Sequence, residues 1–229
     1  MKYNHKQKQE IIIVILLNIF FITACSSQNI KDKQGFSGHA DSDTFIREVP
    51  LESTGEPEFM YRYIREWEKD NRLPNIVNGS DSIEIRVWYH NILGDTLQLL
   101  RIVHEQEHWG AKGYNLWLDT AIWRADTSSL EAYKSKSVDL VPKSGWNNLI
   151  SKVFSLGIKT LPTDNQLKKY KCEQYINYLH FEVATNHSYR LFSYCELSKN
   201  SNKFPEAKRA MEIIQLLQKE LDFKPIKAL

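Results

Sequence analysis

Glycine is scarce in this chain, nine residues in 229, and none of them frames a Gly-rich phosphate loop ahead of a Lys-Ser or Lys-Thr pair. That excludes the cradle on which nucleotide-binding folds close around phosphate. A Gly-x-Ser-x-Gly elbow is missing too, so Ser26-Ser27 and Ser128-Ser129 lack the strand-turn-helix setting of a hydrolase nucleophile. Internal repeats and low-complexity tracts are absent. No apolar run reaches the roughly 20 residues that a membrane-spanning helix needs; the longest, Ile11 to Ile22, is short and broken by Asn18. Net charge is lacking as well. The chain holds 30 Lys+Arg and 28 Asp+Glu, and removing Lys2, Lys6, Lys8 and Glu10 leaves the two signs equal at 27 each. A nucleic-acid partner is therefore not expected, because the basic footprint that neutralises phosphates is not there.

What is present begins at the first residue. Lys2, Lys6 and Lys8 precede the apolar run Ile11 to Ile22, which ends in Thr23-Ala24-Cys25-Ser26-Ser27. A positive lead, an apolar centre of this length and small residues at its end make the pattern of a secretory signal peptide. The Ile22-Thr23-Ala24-Cys25 segment resembles the lipobox of bacterial lipoproteins. The resemblance implies a leader over 1–24, cleavage before Cys25, and acylation of its thiol and new amino group by palmitate-type chains. The partner it implies is a bilayer, in the bacterial cell envelope and most simply at the outer membrane, facing the periplasm or the outside. Residues 25–54 are polar and rich in Ser, Gly, Asp and Lys, the composition of a flexible tether.

With Cys25 assigned to lipid, Cys172 and Cys195 remain, in a compartment that is oxidising. They are a possible disulfide. The hairpin expected around Asn186-His187-Ser188 sets Cys195 opposite Tyr178 or Leu179, which leaves the pairing open.

Residues 55–229 are expected to form one α+β domain. Pro57, Glu56 and Glu58 suit a helix start, and Phe59, Met60, Tyr63, Ile64 and Trp67 recur at helical spacing as far as Asp70-Asn71. Ile83, Ile85, Val87 and Tyr89 then alternate with Glu84, Arg86, Trp88 and His90, the period-2 pattern of a strand with unlike faces. Runs over Leu97 to Val103 and Trp109 to Leu118 extend this into an antiparallel meander, with a turn at Asn91 to Asp95 and a continuation at Ala121 to Arg124. Asp126 to Lys143 is polar and carries no clear period. A helix follows over Gly145 to Leu156 with Ser144 as cap, then a strand hairpin over Tyr178 to Thr185 and Tyr189 to Glu196. A last helix opens at Pro205, with Ala207, Ala210, Met211, Ile214, Leu217 and Leu221 on one stripe. Blocks of strands and helices, not strict alternation, indicate a mainly antiparallel sheet packed by helices. Tyr189-Arg190-Leu191-Phe192-Ser193-Tyr194 followed by the Pro205-Glu206-Ala207-Lys208 helix resembles lipoproteins of the Bacteroidetes, a likeness that implies no particular activity.

One motif names a reaction. His104-Glu105-Gln106-Glu107-His108 spells H-E-x-x-H. On a helix the two imidazoles share a face and can hold zinc, with Glu105 polarising its water, which would make a metallopeptidase. On a strand the same histidines stand about 13 Å apart, at about 3.3 Å per residue, too far to share an ion. Glu107 is a charged intruder for a buried zincin helix, and Trp109 to Tyr114 holds no histidine for the metzincin continuation; a distant glutamate such as Glu131 would have to serve as third ligand, in a Ser-Ser-Leu-Glu-Ala-Tyr setting that does not match the familiar motif. The expected form is a polar hairpin tip.

Trp88 and Trp117 fall on the more polar faces of their strands, so an exposed pair of indoles could stack on a glycan or pin an envelope protein; alternatively the helix carrying Trp146 covers that face. His39, His90, His180 and His187 match no ligand spacing. The sequence thus points to a lipid-anchored binding or assembly module with no cofactor and no catalytic set. A zinc peptidase at His104, Glu105 and His108 and an envelope immunity protein that blocks a toxin are the alternatives.

Overall fold

The computed structural model describes residues 45–52, 54–91, 96–118, 133–173 and 177–223. The leader, Cys25 and most of the tether lie outside these residues, as do the turn at 92–95 and the segment Ala121 to Arg124. Seven strands form one sheet in the order β1-β7-β6-β2-β3-β4-β5. They are β1 (Ile46–Glu48), β2 (Ile83–Asn91), β3 (Thr96–Glu105), β4 (His108–Leu118), β5 (Tyr133–Leu140), β6 (Asn177–Thr185) and β7 (Ser188–Cys195). Strands β2 to β4 make the expected meander, to which β5 adds a further strand, and β6–β7 the expected hairpin, which docks on β2. Every pairing is antiparallel except that of β1 with β7. This is the α+β architecture the pattern of blocks implied.

The four α-helices among the described residues are α1 (Phe59–Asp70), α2 (Trp146–Ser155), the single turn α3 (Leu197–Asn200) and α4 (Pro205–Leu221). Both faces of the sheet are buried, because helices stand on each. Ile85, Val87, Leu100, Ile102, Phe181, Val183, Phe192 and Tyr194 pack against Leu149, Ile150 and Val153 of α2 and Ala207, Ala210, Ile214 and Leu217 of α4. The other face sets Trp88, Leu99, Leu116, Ala184, Tyr189 and Leu191 against Ile64 and Trp67 of α1. Alternation in β2 therefore separates two interiors, not an interior from water.

Three expectations are corrected. Order begins by residue 45, not at 55: Ile46–Glu48 pairs with Ser188–Arg190, Arg47 donates from Nε to the Val77 carbonyl (3.3 Å), and Leu51 bridges Pro57. The stretch read as tether thus contributes an edge strand, too short for period-2 reasoning to find. Residues 133–140, polar and without a clear period, form edge strand β5, whose side chains at 135–139 face water. Lysines and serines on an edge suit it to solvent and discourage further pairing. Ser144 does not cap α2. Gly145 holds that position with no side-chain cap, and the Ser144 backbone N–H donates to Glu220 on α4 at 2.8 Å.

Cys172 and Cys195 form a disulfide with Cα atoms 5.8 Å apart. Cys195 does face Tyr178 in the hairpin, as the turn implied. The bridge comes instead from the chain before β6, which turns at the 3₁₀ segment Asp164–Gln166 and runs past the end of β7. There Asp164 accepts the Cys195 N–H at 2.9 Å and the Tyr170 hydroxyl donates to the Cys195 carbonyl at 2.7 Å. With a sequence separation of 23, the loop-closure argument gives the bridge roughly 3 kcal/mol. Reduction, or the pair Cys172→Ala with Cys195→Ala, is expected to lower unfolding stability by that amount in a urea titration.

Candidate functional site

The H-E-x-x-H letters lie on a hairpin, not on a helix. His104 pairs with Trp109 and Glu105 with His108 across β3 and β4, so the two residues of each pair share a face. His104 and Glu105 are neighbours on one strand and point to opposite faces. The two histidines therefore stand on opposite sides of the sheet and cannot share an ion. His104 Nδ1 lies 2.8 Å from Ser82 Oγ and its ring packs on Trp109, which stacks in turn on Trp146. Gln106 and Glu107 form the two-residue turn with φ of 47° and 67°, the paired left-handed conformation that normally selects Asn-Gly. Replacing the turn by Gln106→Asn with Glu107→Gly is expected to raise stability by about 1 kcal/mol. A helix through 104–108 would lose about as much from the same glycine, so thermal unfolding of this variant separates the two conformations by sign.

Beneath α1 lies a buried ionic seam that the sequence did not disclose. Arg86 and Glu182 have no solvent exposure, and Glu84 and Glu68 have 2% and 3%. Arg86 donates from Nε to Glu84 (2.6 Å), from Nη1 to Glu68 and from Nη2 to the Pro74 carbonyl (2.7 Å). Arg101, on β3 opposite Arg86, grips Glu84 with two bonds of 2.7 and 2.8 Å. Glu182 collects three donors: the Trp88 indole N–H at 2.6 Å, the Tyr189 hydroxyl at 2.7 Å and Arg65 of α1. Arg65 also pairs with Glu68 at 2.7 Å and lies over the Tyr61 and Tyr189 rings. Three guanidiniums and three carboxyl groups thus face one another across the seam. Burial and the neighbouring Glu182 carboxylate push Glu68 up to about 8 against the pull of Arg65 and Arg86.

The seam continues along the same face to a pair of imidazoles. His180 is fully buried, with Nδ1 2.7 Å from Ser193 Oγ and its ring stacked on Tyr178. His90 packs edge-on against Trp67 of α1, and the two imidazole centroids are 6.4 Å apart. Desolvation lowers His90 to about 4 and, with the neighbouring His90, His180 to about 3, so both are neutral at pH 7. His180 and Ser193 make a hydrogen-bonded pair of buried residues, 0% and 3% exposed. Asp164 and the two bridged cysteines also converge, but their sulfurs are joined to each other and are not free to bind an ion.

The Trp88 and Trp117 platform is corrected as well. Trp88 is fully buried, and the register places it opposite Leu99 while Trp117 lies opposite Thr96, on alternate faces. The face bearing Trp88 is covered by α1, not by the helix carrying Trp146. On the outer side of α1 the exposed Phe59 (52%) and Tyr63 (38%) rings meet at 4.3 Å; Leu51 (56%), just before the helix, is exposed too, as are Ile46, Val138 and Val141 elsewhere. The Phe59 N–H donates to Glu52 at 3.1 Å, and Arg62 lies over the Phe59 ring within 3.8 Å of Glu52.

One signal in the sequence could have revealed the seam. Glu68 stands four residues beyond Ile64 on the very stripe that α1 buries, where a carboxylate must find cations. The exposed patch had a signal too, since Phe59 and Tyr63 follow the helical spacing but lie to one side of the Ile64–Trp67 line.

No known family of proteins matches this sequence, and no curated protein matches it either.

Proposed function

We propose that this protein is a lipid-anchored binding module of the bacterial cell envelope, held to a bilayer through Cys25. The observation that carries the binding half is the contrast across α1: the charges beneath it are paired with one another in the interior, while Leu51, Phe59 and Tyr63 stand in water. Exposed aromatic side chains are the residue type that anchors partner proteins. The Cys172–Cys195 bridge fits a domain that resides in an oxidising compartment. The Ile22-Thr23-Ala24-Cys25 segment supplies the anchor, and acyl chains on both the thiol and the amino group exceed the single chain that gives only marginal attachment.

A photocrosslinking residue placed at Phe59 of the full-length protein in its own cells tests this, with Lys208 on the outer side of α4 as the comparison site. A discrete heavier adduct from position 59 and none from position 208 is the expected result. Identical patterns from the two positions, or none from either, contradict the reading.

A further inference from the structure

Four acidic residues, Glu52, Glu56, Glu58 and Glu66, lie in the turn before α1 and along α1 beside the Phe59–Tyr63 pair. Glu52, Glu56 and Glu66 are exposed and Glu58 is partly so. Arg62 lies inside this rim and is engaged by Glu52 and by the Phe59 ring; Lys69 stands a turn beyond Glu66. Burial and the nearby Asp164 raise Glu58 above the usual carboxylate range, with Asn165 donating to it at 3.0 Å. The rim is therefore net negative around an apolar, aromatic centre, although the domain as a whole is close to neutral.

From this juxtaposition we infer that the α1 patch docks a polypeptide segment that sets an apolar or aromatic side chain against Phe59 and Tyr63 and carries lysine or arginine on its flanks. The inference rests on the binding-module reading and supplies its surface and partner chemistry. Charge complementarity decides the occupant. An anionic lipid surface would meet the four carboxylates head-on, and like charges across a contact cost affinity. A second copy of this chain would bring the same acidic rim against its own. A basic peptide instead gains encounter rate from the rim and desolvated contact from the centre. The rim's contribution weakens with salt, whereas the aromatic contact does not.

Selection of a random peptide library displayed on phage, against the full-length protein held in detergent micelles, tests this without a known partner. Enriched peptides should place an aromatic or Leu-like residue within a few positions of Lys or Arg. Synthetic versions should bind about tenfold more weakly to Phe59→Ala and to the charge reversal Glu56→Lys with Glu66→Lys, and more weakly at high salt. The charge-reversed pair changes two exposed residues and leaves the core intact, so it remains informative if Phe59→Ala alters the start of the helix. Enriched peptides that are acidic or uncharged, or that bind both variants unchanged, overturn the patch assignment while leaving a binding module. A library that yields no enrichment overturns both.

Discussion

Glu182→Ala is expected to lower the free energy of unfolding by about 3–5 kcal/mol, the cost of stripping one partner from a buried ion pair. The reason lies in what the side chain leaves behind. The Trp88 N–H and the Tyr189 hydroxyl lose their acceptor in a dry interior, and Arg65 is left with Glu68 as its one carboxylate. Trp88 and Tyr189 have no exposure, so water cannot replace what is removed. For a domain of this size the midpoint should fall by roughly 6–20 °C, at about 2–4 °C per kcal/mol. Glu105→Ala is the matched control. Its carboxylate is 66% exposed and 3.3 Å from Arg101, so its loss should cost no more than about 0.5 kcal/mol. Similar small effects from both variants in a urea titration would show that the seam does not hold α1 to the sheet.

The second large effect is on pH. His90 and His180 sit below their ordinary value of 6.5, at about 4 and about 3. As pH falls below 6.5 the unfolded chain takes up a proton at each histidine while the folded protein does not, so stability falls with pH. Each histidine contributes about 1.4 kcal/mol per pH unit until its folded value is reached, together on the order of 7 kcal/mol between pH 6.5 and 4. Glu68 works in the opposite sense. It binds a proton in the folded state from about 8 downward and in the unfolded chain only below 4.5, so it favours folding at the acid end of that window. The stability curve should accordingly peak near pH 6.5 and decline on both sides. A difference measurement isolates the histidine part: relative to the parent, His90→Phe should gain about 1.4 kcal/mol per unit as pH falls from 6.5 to 4 and nothing above 7. Parallel curves for parent and variant across that range would remove His90 as a desolvated, neutral imidazole.

The sequence was most readable where one face of an element meets a core and the other meets water. The α4 stripe of Ala207, Ala210, Ile214, Leu217 and Leu221 is buried as its spacing implies, and Gly157 beyond α2 takes the positive φ that ends that helix. It was least readable where both faces are covered. Glu84, Arg86 and Glu182 look like the wet side of β2 and β6, and the partner helix, contributing Arg65 and Glu68, together with Arg101 of β3 makes burial of those charges tolerable. Long-range complementarity of that kind has no local period. The β3–β4 turn was obscured in another way, because Gln106 and Glu107 occupy left-handed positions that Asn and Gly usually announce. The disulfide was hidden by the hairpin's own register, since the strand that faces Cys195 is not the segment that bridges to it.

The proposed placement of this domain at a bilayer depends on one residue, and the mass of the mature amino-terminal peptide from native membranes reads it directly. The account predicts that the chain begins at Cys25 with acyl chains on the thiol and on the amino group. A peptide that still carries residues 1–24, or that begins at Cys25 with an unmodified thiol, would contradict it.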